Sequence, residues 1–305
     1  MAPNLYKNQD SNIFKTWLLM SVFLVLIVFL GWFLSYYYND VLIFYFAIFF
    51  SLFMNIFSYW FSDKIVLKMS GAKPASKEEY YDLYTITENL AITAGLPMPK
   101  LYVIADAVPN AFATGRNKEH AVIAVTTGLL QVLEKNELEG VVAHEMAHIG
   151  NRDILLQTIV VVLVGLVTML ADFFLRSQIN RGGGDRDSKG SGILLIVGLV
   201  LMILSPIFAS LIQLAISRKR EFLADATGAL LTRYPEGLAS ALEKISVNSA
   251  GQKMQNANHA TAHLFISNPF GGDGKKNKVN FFAKIFSTHP PTEERVAALR
   301  GLEIK

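Results

Sequence analysis

Hydrophobic residues along the chain fall into two kinds of pattern. Residues 16–38 and 41–61 are apolar throughout and contain no charged side chain. Each run matches the roughly 20 residues a helix needs to cross about 30 Å of hydrocarbon. Trp17, Trp32, Tyr36, Tyr37, Tyr38, Tyr59 and Trp60 gather toward the run ends, where amphipathic rings favour the membrane interface. The first run is too long for a signal-peptide core, and no small-residue cleavage site precedes Asn39. Two later runs, 154–171 and 191–217, are weaker: the third is short and holds Gln157, the fourth is long and holds Pro206. They predict a second hydrophobic hairpin, either spanning the bilayer or buried in a globular unit.

The stretches between and after these runs carry the other pattern, with apolar positions at helical or strand spacing. Ser76 to Glu79 reads as a capping box, followed by Tyr80, Leu83, Tyr84, Leu90, Ala91 and Ala94, with Gly95 and Pro97 as stops. Residues 100–104 and 121–125 read as short strands separated by a loop that contains Asn110 to Gly115. Helices are predicted near 127–135, over 137–149 and over 236–247, the last opened by Pro235. No internal repeat is present.

Composition narrows the class. Of 305 residues, 52% are hydrophobic and only 17% charged, and mean hydropathy is +0.34. Soluble domains average about 25% charge, so an ordinary cytosolic enzyme is disfavoured. Cysteine is absent, which excludes a disulfide framework and a thiolate metal site. The net charge of +3 is too small to argue for nucleic acid. Its distribution sets an orientation: Lys7 and Lys15 precede the first run, Lys64, Lys68, Lys73 and Lys77 follow the second, and Arg218, Lys219 and Arg220 follow the fourth. The N-terminus, 62–153 and 218–305 therefore read as cytoplasmic. The loop 172–190 runs against this rule with Arg176, Arg181, Arg186 and Lys189, offset by Asp172, Asp185 and Asp187.

The sharpest chemical signal is His144-Glu145-Met146-Ala147-His148. Asn136 with Glu139 reads as its N-terminal cap and Gly150 as its stop, which places the motif in one helix. A spacing of four brings both imidazoles to one face, where they can share an ion, and leaves Glu145 beside it as a base. Val141, Val142, Ala143 and Ile149 supply a buried flank. A catalytic zinc takes three protein ligands and one open position. Position 151 is Asn and position 154 is Ile, so no third histidine follows at the extended spacing, and the third ligand must be a carboxylate or a remote histidine. Glu221 and Asp225 lie one turn apart after the fourth run, so that one can bind metal while the other orients an imidazole. If Glu221 joins the pair, residues 149–220 must cross the bilayer twice or not at all. The ion would then lie within about 10–15 Å of the membrane surface at 1.5 Å per helical residue. His259 and His263 are also four apart, but no carboxylate lies between them and the stretch is polar; His120 reads as a turn residue.

HEMAH, a hydrophobic hairpin, then EFLAD (Glu221 to Asp225), with NAFATG (Asn110 to Gly115) before and STHPPTEER (Ser287 to Arg295) after, resembles the HtpX-type membrane zinc metalloproteases. These belong to a gluzincin-like group that includes the CAAX prenyl-protein endopeptidases. The resemblance spans nearly the whole chain. It implies a mainly α, α+β fold: a multi-span membrane protein with a zincin-like cytoplasmic metalloprotease domain and a small β-sheet. The implied segments are a transmembrane hairpin (1–62), a first part of the protease domain (63–153), a second hydrophobic hairpin (154–217) and a second part of the domain (218–305). One Zn²⁺ would be held by His144, His148 and Glu221, with Asp225 bonded behind a ligand. Glu145 would be the general base, His289 would stabilise the tetrahedral intermediate, and Arg295 would be structural or near the site. Asn110, Ala111 and Phe112 resemble a substrate-binding edge strand, and the strand before Asn110, or the one after it, would present an edge for an extended peptide.

The resemblance further implies endoproteolysis of misfolded or damaged membrane proteins in stress response and quality control. The setting would be the bacterial cytoplasmic membrane with the active site on the cytoplasmic side. The partners would be polypeptide substrates and the lipid bilayer, without nucleic acid, and no pattern sets an oligomeric state. Two alternatives stand beside it: a narrow-specificity processing protease, and a non-catalytic zinc-containing membrane scaffold. Glu145 weighs against the scaffold, because a purely structural site has no use for that carboxylate. The lack of charge within the apolar runs disfavours a transporter.

Overall fold

Two long apolar helices, α1 (Leu5–Tyr38) and α2 (Val41–Met69), open the structure as a tight hairpin. The turn uses Asn39 at φ 52°, a left-handed conformation that Asn tolerates, and Asp40, whose carboxylate accepts from the Leu42 N–H at 2.9 Å. Both helices are long and apolar enough to cross a membrane. Phe29, Phe46, Phe49 and Ile56 point outward with 60–67% exposure, which suits a lipid-facing surface. This computed structural model describes residues 5–163, 165, 218–258, 260–271 and 290–302.

Beyond the hairpin lies a four-stranded sheet ordered β1 (Ala72–Pro74), β2 (Lys100–Ile104), β4 (Ala121–Thr126) and β3 (Ala111–Gly115). β2 and β4 run parallel, with Leu101 opposite Ile123, while β1 and β3 pair antiparallel on the outside. The spacing read residues 111–115 as a loop; they form a strand, as the resemblance of Asn110, Ala111 and Phe112 to an edge strand implied, and that strand is outermost instead of either neighbour, because β2 and β4 are both interior. All five β3 residues are buried on both faces, so the segment lacks the polar alternation that marks a half-exposed strand. β1, too short to show a pattern, occupies the other edge with Pro74, a residue that edge strands accommodate.

The sheet separates two apolar clusters by the alternation of its side chains. Leu101, Val103, Ala111, Ala113, Ile123 and Val125 face α3 (Tyr81–Ala94), α5 (Lys135–Gly150) and α8 (Pro235–Ser249). On the other face Ile104, Phe112, Val122 and Ala124 pack with Leu19, Met20 and Phe23 of α1, Val66 and Leu67 of α2, and α6 (Asp153–Leu163). The inner ends of the membrane hairpin are therefore built into the core. α4 (Thr127–Val132) is capped by the Thr126 hydroxyl, which accepts from the Leu129 N–H at 3.1 Å. α7 (Arg218–Thr232) and α9 (Thr292–Arg300) complete the described helices.

Some local starts differ from those expected. Ser76 accepts from the Glu79 N–H at 3.3 Å, but this caps a turn, and α3 begins at Tyr81. α5 is capped by Glu134 with Glu137 instead of Asn136 with Glu139. Glu137 is held there by Lys244 Nζ at 2.8 Å and Ser240 Oγ at 2.7 Å, so the α8 partner decides which acidic residue caps. The third apolar run begins as α6, bent 84° from α5, and its Ile154, Leu156 and Ile159 are at most 1% exposed. The rest of 154–171, the loop 172–190 and the run 191–217 lie outside the described residues, as does His259. His263 is buried, with Nε2 3.2 Å from the Gln157 carbonyl oxygen.

α5 and α8 cross closely because Gly140 has no side chain: a Cβ there would lie 2.6 Å from the Leu238 nitrogen. Gly140→Ala is expected to destabilise by about 1–3 kcal/mol through overpacking. Its thermal unfolding midpoint in detergent should fall by several degrees, with the metal stoichiometry unchanged.

Candidate metal centre

Two helices bring the three candidate ligands together. The spacing of four on α5 points His144 and His148 to one side, and their Nε2 atoms lie 3.2 Å apart. α7 crosses this helix so closely that a Cβ on Gly228 would sit 3.0 Å from the His144 backbone nitrogen. That crossing delivers Glu221, whose carboxylate oxygens lie 3.8 Å from His144 Nε2 and 3.7 Å from His148 Nε2. All three side chains are buried, and among the described residues they are the one group of His, Asp or Glu that could hold a metal ion. Glu221 thus stands beside the histidine pair.

The backs of both imidazoles are pinned. His144 Nδ1 lies 2.9 Å from Asp225 Oδ1, and His148 Nδ1 lies 3.0 Å from Asp153 Oδ2. An imidazole that donates from Nδ1 keeps its Nε2 for a partner at the front, and both Nε2 atoms face the Glu221 carboxylate. Asp225 is in turn gripped by Arg295 of α9, with Nη2 to Oδ1 at 2.6 Å and Nε to Oδ2 at 2.8 Å. Arg295 also donates to the Ile266 carbonyl at 3.4 Å and lies 4.0 Å from Glu221.

This burial shapes the protonation pattern of the group. Desolvation lowers His144 to about 4 despite Asp225. Desolvation acts the same way on His148, but the Asp153 hydrogen bond and the Glu221 and Glu145 charges override it and raise the group to about 9. A charged His148 then donates from Nε2 to the neutral His144 Nε2, so a proton joins the two lone pairs that a cation would take. Burial pushes the Glu145 carboxyl up to about 7, with Glu221 adding to the rise, while His148, Arg295 and a hydrogen bond from the Ala113 N–H oppose it. Burial would also raise Asp225, but the Arg295 guanidinium outweighs it and holds the carboxyl at about 2.

The donor set fits a divalent zinc ion. Two nitrogens about 2.0–2.1 Å from a tetrahedral ion would stand about 3.3 Å apart, close to the separation of the imidazole pair. Two imidazoles and a carboxylate, with further carboxylates holding the imidazoles, are borderline-hard chemistry that suits zinc.

The remaining predicted positions lie along β3 or immediately before it, or outside the described residues. Asn110 is fully buried and faces the 260–267 segment: its Nδ2 donates to the Ser267 carbonyl at 2.8 Å and its Oδ1 accepts from the Ser267 N–H at 3.1 Å. Ala111 continues that clamp by accepting from the Ile266 N–H at 2.9 Å. Phe112 turns to the opposite face and meets Phe265 edge-on, with ring centroids 5.0 Å apart. Ala113, one step further, meets Glu145. His289 lies outside the described residues. Asp153 was not singled out from the sequence: it follows a break at Arg152, left-handed at φ 58°, which helical spacing does not anticipate. A carboxylate five positions past His148 was the available signal.

Paired imidazoles on one helix, a carboxylate from a second helix and an adjacent glutamate define a metallopeptidase site. The profile described as Peptidase family M48 matches residues 77–303, and the chain belongs to that family. It is a membrane metalloprotease. A protein named Protease HtpX homolog from Caldanaerobacter subterraneus subsp. tengcongensis is 48% identical over 307 residues, covering 98% of each chain. A protein of the same name from Pyrococcus furiosus is 50% identical over 255 residues, covering 84% of this chain and 85% of its own. The crystal structure of S. mikatae Ste24p matches with a TM-score of 0.51 at 20% identity, covering 96% of this chain and 67% of that one, and shares the fold.

Arg295 is 2% exposed and its partner Asp225 3% at the side chain, so neither charge has water to fall back on. Because Asp225 sits below its ordinary 3.8, its stabilising contribution is complete above about pH 4 and is lost as pH falls toward 2. Arg295→Met leaves Asp225 buried without its cation and is expected to destabilise by about 3–5 kcal/mol. Thermal unfolding of the metal-free protein at neutral pH measures this.

Proposed function

We propose that the chain is a zinc-dependent membrane endopeptidase that cleaves misfolded or damaged membrane proteins from the cytoplasmic side of a bacterial cytoplasmic membrane. The observation that carries this reading is the convergence of His144, His148 and Glu221 beside Glu145 and the edge strand β3. Within it, 1–62 anchors the protein, 63–153 and 218–305 make the peptidase unit, and 154–217 is a second hydrophobic hairpin. The charge pattern around the first two helices supports the cytoplasmic placement. The relatives' name, Protease HtpX homolog, supports proteolysis as the activity.

His144, His148 and Glu221 would hold one Zn²⁺, oriented by Asp225 and Asp153. When bound, the ion would supply a Lewis acid for the scissile carbonyl and would acidify a water. Glu145, with a carboxyl near neutrality, takes the proton of the attacking water and returns it to the leaving amine nitrogen. An extended polypeptide would add beside β3, where backbone pairing reads the main chain more than the side chains and suits broad selectivity. Asn110 and Ala111 would shape this edge by clamping 266–267, and Phe112 would brace it through Phe265. His289 would donate to the oxyanion; one such donor is worth about 2.7–4 kcal/mol.

Glu145→Gln is expected to retain one zinc per chain and to cleave an unfolded substrate at least about a thousandfold more slowly, roughly 4 kcal/mol. Cleavage at the wild-type rate would remove Glu145 from its role. A second outcome follows from His148, raised from 6.5 to about 9. Below that value metal uptake must displace a proton, so the apparent zinc affinity should rise about tenfold per pH unit from about 6.5 and level off above about 9. Chelator competition across that range, with proton release followed in weak buffer, gives the slope. A flat profile would mean that His148 gives up no proton to the ion.

A further inference from the structure

The first membrane helix reaches the metal centre through one buried amide. Asn12 of α1 is 2% exposed, and its Nδ2 donates both of its hydrogens. One goes to Asp153 Oδ1 at 2.6 Å and the other to the Asn151 carbonyl oxygen at 3.1 Å. Both acceptors sit at the break where α5 ends and α6 turns away by 84°. The other oxygen of the same carboxylate, Asp153 Oδ2, receives His148 Nδ1 at 3.0 Å. Arg220, the residue before Glu221, adds a guanidinium nitrogen 3.8 Å from Asp153 Oδ1. A carboxylate bonded through one oxygen alone is free to rotate about its Cβ–Cγ bond. With both oxygens engaged, its plane is fixed, and so is the ring it holds.

We propose that Asn12 is a positioning residue for the metal centre: by holding Asp153 it sets the orientation of the His148 imidazole, so that metal affinity depends on the seating of α1 against the peptidase unit. This rests on the reading of His148 as a metal ligand. Asn12 lies in the long apolar helix, where an amide side chain is costly unless bonded, and its partners are on the far side of the sequence. A residue serving only to anchor α1 would need the Asn151 carbonyl and not the carboxylate that orients a histidine.

The test is a double-mutant cycle on the full-length protein in detergent, with zinc affinity read by competition with a chromophoric chelator. Asn12→Leu keeps the branched shape and suits the helix but removes the donor. It is expected to bind zinc about tenfold more weakly, at the low end of the range for groups that hold ligands from behind. Asp153→Asn should lose more, and the double variant no more than Asp153→Asn alone, because the two act in series. The visible spectrum of the cobalt-loaded Asn12→Leu protein should change as the ligand ring tilts. Asn12→Ala, which favours helix most strongly, is carried as a second variant against failure to fold, with the same expectations. Wild-type affinity and an unchanged cobalt spectrum in either folded variant overturn the proposal, as do losses that multiply in full in the double variant. Wild-type zinc affinity in His148→Ala would instead overturn the ligand assignment beneath it.

Discussion

An imidazole can serve a metal only if something holds its other nitrogen, and the structure depends on how that is done twice. Asp225 stands behind His144 and Asp153 behind His148, both from outside the helix that carries the histidines. Without them the rings would be free to present either nitrogen, and the close pairing of the two Nε2 atoms would be one arrangement among several. Each carboxylate has a cost of its own, since a buried anion must find a cation or donors. Arg295 meets that need for Asp225, and Asn12 with Arg220 meets it for Asp153. The requirement therefore spreads outward until it has recruited α1, α7 and α9.

The same network explains why so many charged groups are tolerated in the interior. A buried ion pair adds little net stability compared with an apolar replacement, and breaking one is expensive. What the arrangement secures is geometry, with rotamers locked before any ligand or substrate arrives. The tight crossings at Gly140 and Gly228 act in the same sense by fixing how near α8 and α7 approach the motif helix.

Much of this was legible in the chain. HEMAH on one helix, EFLAD on another, two leading membrane-length helices and the strands at 100–104 and 121–125 all follow from spacing and apolar pattern. What was not legible depends on contacts distant in sequence. Residues 111–115 read as a loop because a short segment ending in glycine shows no polar alternation when both faces are covered. The helix cap moved to Glu134 because Lys244 and Ser240, far along the chain, hold Glu137. Asp153 was hidden by the left-handed Arg152, and Asn12 carries no signal at all until its partner is known. Asn110, read from the motif as a substrate contact, has its amide engaged by Ser267, a pairing that only the fold brings about.

The two-sided sheet bears on how this protein can be taken apart. Its outer face is lined by Phe112, Val122 and Ala124, and these are covered by Leu19, Met20 and Phe23 together with Val66 and Leu67. Excising the leading hairpin to obtain a water-soluble catalytic fragment would strip that cover and leave a broad greasy plane open to solvent. Such a fragment would self-associate, so the anchor is also half of the wall against which the protease is assembled.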